Sequence, residues 1–123
     1  MTATAAELSG PLALVVEPDG SARTLRLPDA GPHGGQHVHD LVGGWLEAIT
    51  GRGWCAYFNE DGERERLPVN MRATGLACAL GWRPHVADWL LGVVVFLGRD
   101  GTSETDVPER ALQLARETGV IDE

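Results

Sequence analysis

The chain has 123 residues, 43% of them hydrophobic and 23% charged, which is enough for one core, too short for two domains and too apolar for a disordered chain. Its net charge of -8 argues against direct binding to nucleic acid, which needs Lys and Arg to neutralise phosphates, and against an anionic membrane surface for the same reason. All ten basic residues are arginine, and the missing lysine excludes a P-loop or a Schiff-base enzyme.

The abundance of Ala and Gly beside that all-arginine usage has the look of codon bias in a GC-rich genome, pointing to a high-GC bacterium or its phages. Cys55 and Cys78 are the only cysteines and lie in the apolar contexts "GWCAYF" and "GLACAL", as buried free thiols do. The N-terminus "MTATAAELSG" has neither a basic region nor an apolar core, and "WLLGVVVFLG" is half the length of a membrane span. A reduced, cytoplasmic protein is expected.

Residues 1–10 are small and polar and read as a flexible arm ahead of a single α+β domain over 11–119. "LALVVEPDGSARTLRL" predicts a hairpin turning at Pro18-Asp19-Gly20, with Arg23 and Arg26 on its second strand and Leu25 and Leu27 on the other face. "HVHDLV" predicts a short helix ended by Gly43-Gly44. Trp45 to Thr50 and "WCAYFN" then form a second antiparallel pair around "GRG".

In "NEDGERERLPVN", Asn59 to Asp61 and Gly62 have turn chemistry. The alternating Glu and Arg that follow predict an exposed strand edge with weak ion pairs. Solvated carboxylates there make poor bases near neutrality. Ala73, Leu76, Ala77 and Leu80 recur at helical spacing behind Asn70, an expected N-cap. "WLLGVVVFLG" is apolar on both faces and belongs in the middle of a sheet. Arg99 to Thr105 reads as a linker. "DVPERALQLARETG" closes as a helix with Asp106 and Glu109 as a capping-box pair, Val107, Ala111, Leu114 and Ala115 as its apolar stripe, and Gly119 as its stop. The expected fold class is α+β: a small, antiparallel-dominated mixed sheet with two or three helices packed on one face.

Three elements carry a resemblance: Val42, Gly43, Gly44, Trp45, Leu46 and Glu47; Asn59, Glu60, Asp61 and Gly62; and Leu67, Pro68, Asn70, Ala73 and Thr74. In this order and spacing they resemble the family of small bacterial and phage proteins catalogued as domain of unknown function 3846, from the first hairpin to about Gly98. The resemblance implies no assigned activity, and it implies kinship with accessory proteins of phages and other mobile elements. The histidine-bearing segment and the C-terminal helix depart from the family pattern.

Among residues with chemistry to offer, His33, His37 and His39 with Asp40 come nearest to a metal set, but Gly34-Gly35 interrupts the helix that would align them. No metal or cofactor is expected. Serines occur only in turns or tails, and no G-x-S-x-G element occurs. Trp82, beside Arg83 and Pro84 in a loop, has the composition of a contact patch.

Period two puts Glu47 on one strand face with Trp45 and Ile49. Three readings follow: an open solvent face, a buried pair with Asn70, Arg72 or Thr74, or a pocket floored by Trp45 with Glu47 and Asn70 as polar contacts. The candidate contact residues are therefore Trp45, Glu47, Asn59, Asn70, Arg72, Trp82 and Arg83. The function expected is a non-enzymatic binding or regulatory module of a mobile element, acting on a host protein or small molecule; a homodimer is compatible with the sequence. The alternatives are an acidic anti-restriction-type DNA mimic and a small hydrolase or nucleotide-processing enzyme.

Overall fold

A computed structural model describes residues 10–28, 35–84 and 88–118. Of the arm expected over 1–10, residues 1–9 lie outside the described residues, as do His33 and Gly119; Gly10 is not part of a free arm, being buried and donating its amide to the Leu27 carbonyl at 3.1 Å. In chain order the elements are strands β1 (Leu12–Val16) and β2 (Ala22–Arg26), helix α1 (Gly35–Val42), strands β3 (Leu46–Gly51) and β4 (Trp54–Asn59), helix α2 (Met71–Ala79), strands β5 (Val94–Asp100) and β6 (Ser103–Thr105), and helix α3 (Glu109–Glu117).

Each expected hairpin forms. In the first, Asp19 Oδ1 accepts from the amide and hydroxyl of Ser21 at 2.8 and 2.7 Å, a side chain building its own turn. The sheet runs β2-β1-β5-β4-β3, with β6 beside the end of β5, and every pairing is antiparallel. β5 is central, as its two-sided apolar sequence requires. Residues 99–105 are not a linker: they complete β5, turn, and return as β6, with Arg99 opposite Glu104.

The sheet is covered on both faces. Leu14, Val16, Trp54, Ala56, Val94 and Phe96 pack on one side with residues of α2 and α3. Ala13, Val15, Cys55, Tyr57, Val95 and Leu97 face the other way, where Val38 and Val42 of α1 join them. Two helices therefore share a face, and the third takes the opposite one. The alternation also corrects β2: Arg23 has the parity of Leu25 and Leu27, opposite that of Arg26, as the partners Val15, Ala13 and Leu12 require.

The N-cap prediction for α2 holds. Asn70 Oδ1 accepts from the amide of Ala73 at 3.0 Å. The capping pair of α3 does not form, because Pro108 is its N-cap and offers no side-chain bond. Asp106 is used elsewhere: its Oδ1 accepts from the amide of Leu12 and from Arg26, both at 2.8 Å, while Val107 donates its amide to the carbonyl of Leu12. The start of the first strand is thereby fastened to the entry of the last helix.

Under α1, burial pushes the Cys55 thiol up from about 9 to about 11, and its neighbour Glu104 adds to the rise. Tyr57 is pushed up as well, by burial first and then by Cys55 and Glu104. Both groups are neutral in the folded chain, while the unfolded chain loses their protons more readily. Stability is then complete below about pH 9 and falls as pH rises toward about 11. Urea midpoints should decline across that window, and less steeply in Cys55→Val; a flat profile would contradict the burial of these groups.

Candidate functional site

Beyond β4 the chain does not continue as an edge strand. Residues 60–66 wind through helical turns, with amide-to-carbonyl bonds from Glu65 to Asp61, Arg66 to Glu63 and Leu67 to Gly62 at 2.9–3.1 Å. The cause is Asn59, buried to 4% exposure. Its Oδ1 accepts from the amide of Asp61 at 2.8 Å, and its Nδ2 lies within reach of the Val42 carbonyl and Glu65 Oε1 at 3.5 and 3.4 Å. A side-chain-to-backbone bond of this kind outcompetes the strand that the alternating charges suggested. A β-carbon at Gly44 would stand 2.8 Å from Asn59 Nδ2, so the Gly-Gly and Asn-Glu-Asp-Gly elements meet in space. Arg64 pairs with Asp61 at 2.8 Å on the exposed side, a contact of small energetic value.

The turn forms one wall of a cleft of about 660 Å³. Ile49 of the edge strand β3 and Phe58 of its neighbour β4, half-buried against the core, lie beneath it. Glu47 stands beside them, because the β3–β4 register places it opposite Phe58. The far wall is built from Trp82, Arg83 and Pro84 and from residues 88–91. That wall is held because segments 68–70 and 90–92 bond to each other, Asn70 donating to Leu90 and Gly92 to Pro68, both at 2.8 Å.

The cleft is acidic and aromatic. Glu47, Glu60, Asp61, Glu63 and Asp88 line it against two cations, Arg64 and Arg83. Trp82 is half-buried on the core, while Trp89 is 48% exposed. Trp89 is not part of the buried strand the sequence suggested: it precedes β5, which begins at Val94.

Four of the seven candidate residues, Glu47, Asn59, Trp82 and Arg83, thus converge. The other three do not. Trp45 precedes β3, so strand alternation does not govern it; it is 71% exposed and packs edge-on to His39 of α1, with ring centroids 6.0 Å apart. It borders a separate, open hollow with Gln36, Asp40 and Gly43. Asn70 is 1% exposed and committed to the backbone. Arg72 lies over Gly20 and donates to the carbonyl of Thr118 at 3.4 Å. Thr74 bridges the Asn70 carbonyl and the Leu90 amide. Glu47 is therefore exposed at the mouth of a cleft floored by Ile49 and Phe58, and is not buried against Asn70, Arg72 or Thr74.

Ile49, Phe58 and Trp89 were missed as site residues. The signal for the first two was the hairpin register: counting back from the Arg52-Gly53 turn already puts Phe58 beside Glu47. Among the described residues no group of three or more His, Cys, Asp or Glu is placed to hold a metal ion, and no helix is long and apolar enough to cross a membrane.

The family model for Domain of unknown function (DUF3846) matches residues 11–118. The chain belongs to that family. No curated protein and no solved structure matches it. All three sequence elements that carried the resemblance find a use in this DUF3846 chain: the first two meet at Asn59, and the third builds the cap of α2 and braces the cleft wall.

Proposed function

We propose that this DUF3846 protein is a binding module that captures an organic cation, a guanidinium or ammonium group, in the cleft between β3 and the wall formed by residues 82–84 and 88–91. The observation that carries the reading is the lining itself: five carboxylates against two arginines around two tryptophans. Carboxylates attract such a group, and an indole face binds it further through its quadrupole. A binding role is favoured over catalysis because, among the described residues, the lining includes no Ser, Cys, Thr or His to serve as a nucleophile or an imidazole base.

The family kinship supports an accessory role in a phage or other mobile element, with a host protein or a small molecule as the source of the cation. A DNA mimic needs carboxylates at phosphate-like intervals along a face. Their gathering around one cleft supports cation capture in preference to it.

Titration with arginine amide, followed by tryptophan fluorescence and calorimetry, tests the reading. Binding should weaken with salt. It should weaken about threefold or more in Trp89→Ala, as loss of an exposed cation–π contact requires, and several-fold in Glu47→Gln without loss of thermal stability. Absence of binding, or binding indifferent to both substitutions, would overturn it.

A further inference from the structure

β3 ends the sheet and bonds to β4 alone, so its outer row of amides and carbonyls faces away from any strand among the described residues. Proteins usually blunt such an edge with lysine, proline, a bulge, a very short strand or a covering element. Among the described residues β3 has none of these, and Glu47 is its only charged side chain. It is six residues long and pairs in unbroken register from Leu46 with Asn59 to Gly51 with Trp54. Ala48, Thr50 and Gly51 are exposed, and α1 lies over β4 and β5 instead. The opposite edge, β2, has Arg23 and Arg26 in ion pairs with Glu17 and Asp106 at 3.2 and 2.8 Å.

The open edge is also a rim of the cleft, since Glu47, Ala48 and Ile49 line it. A strand laid beside β3 would point alternate side chains to the same face as Glu47 and Ile49. We propose that β3 is an acceptor edge for an extended segment of a partner protein, which adds as a further strand and directs an arginine or lysine side chain into the cleft. Charge complementarity selects this occupant. A second copy, paired edge to edge, would bring two acidic rims together on chains that each carry a net charge of -8, a juxtaposition that is repulsive. The proposal rests on the cleft reading above and adds main-chain recognition to it.

The probe is a blocked pentapeptide, Thr-Val-Arg-Val-Thr, compared with arginine amide and with two versions of itself N-methylated at alternate residues. In a strand, alternate amides face the acceptor, so one methylated set removes ladder bonds and the other leaves them. The peptide should bind at least about tenfold more tightly than arginine amide, as two ladder bonds of about 1 kcal/mol each imply. One methylated version should lose that advantage while the other keeps it.

If arginine amide binds and the peptide binds no better, or if the two methylated versions behave alike, strand addition is overturned and the cleft reading stands. If neither ligand binds, both fall. A stable dimer in sedimentation that excludes the peptide would also overturn the proposal, by giving β3 to a second copy.

Discussion

Asn70→Ala should destabilise the protein by about 3 to 5 kcal/mol, a large share of the roughly 5–15 kcal/mol that holds a domain together. Asn70 Oδ1 caps α2 through the Ala73 amide, and its Nδ2 donates to the carbonyls of Val16 and Gly92, both at 2.9 Å. Losing the cap costs about 1 kcal/mol. Each buried carbonyl that loses this donor costs about 1–2 kcal/mol more, and with the side chain only 1% exposed water cannot replace it without opening the structure. Asn70→Asp separates the two contributions: it keeps the capping oxygen but turns a second oxygen toward the two carbonyls, so it should rescue nothing. Urea denaturation measures both, and a loss below about 1 kcal/mol for the alanine variant, the worth of the cap alone, would show that the two carbonyl bonds contribute nothing.

Gly98→Ala should cost about 3 kcal/mol, at the upper end of overpacking effects. Gly98 pairs with Trp54 on one side and Thr105 on the other. A methyl group there would overlap the carbonyl oxygen of Asp106 and the hydroxyl of Thr105. No rotamer change can move the carbonyl, so the backbone around Asp106 must shift. The bonds from Asp106 to Leu12 and Arg26 would be strained with it. Gly75 is the control: it is exposed on α2, with nothing within 4 Å of an added β-carbon. Gly75→Ala should gain about 0.5 kcal/mol from helix propensity, and a thermal melt that ranks the two substitutions the other way would contradict the packing at Gly98.

The contrast between Asn70 and Asp106 shows which parts of the fold were legible in the sequence. Asn70 caps the helix beside it, so the signal and its use lie three residues apart. Asp106 sits just as favourably for Glu109, yet its oxygen goes to residues 94 and 80 positions away, a destination no local pattern encodes. The alternating Glu and Arg after Gly62 misled for a related reason: charge alternation fits a strand, but Asn59 had already fixed the backbone into a turn. Period two failed at Trp45 because the strand begins one residue later.

The site was half legible. Glu47 and Trp82 declared themselves as residues out of place in their local patterns. What remained hidden was distance: only the folded chain reveals that residues 82–84 and 88–91 face the Asn59–Arg64 turn across one cleft.

The central position of β5 has a consequence for the order of assembly. Both expected hairpins, β1–β2 and β3–β4, join neighbouring stretches of chain and need no other part of the molecule to pair. Neither pairs with the other; each is joined to the sheet only through β5, whose first residue is 78 positions after Val16 in the pairing of Val16 with Val94. On the ribosome, where chain emerges N-terminus first, two preformed ribbons must therefore wait, apolar faces uncovered, until a single late strand arrives and zips them into one sheet. The slow step is the closure of long loops around that strand, and Asp106 and Val107, which lead into α3, meet their partner Leu12 only when β1 has been drawn into place.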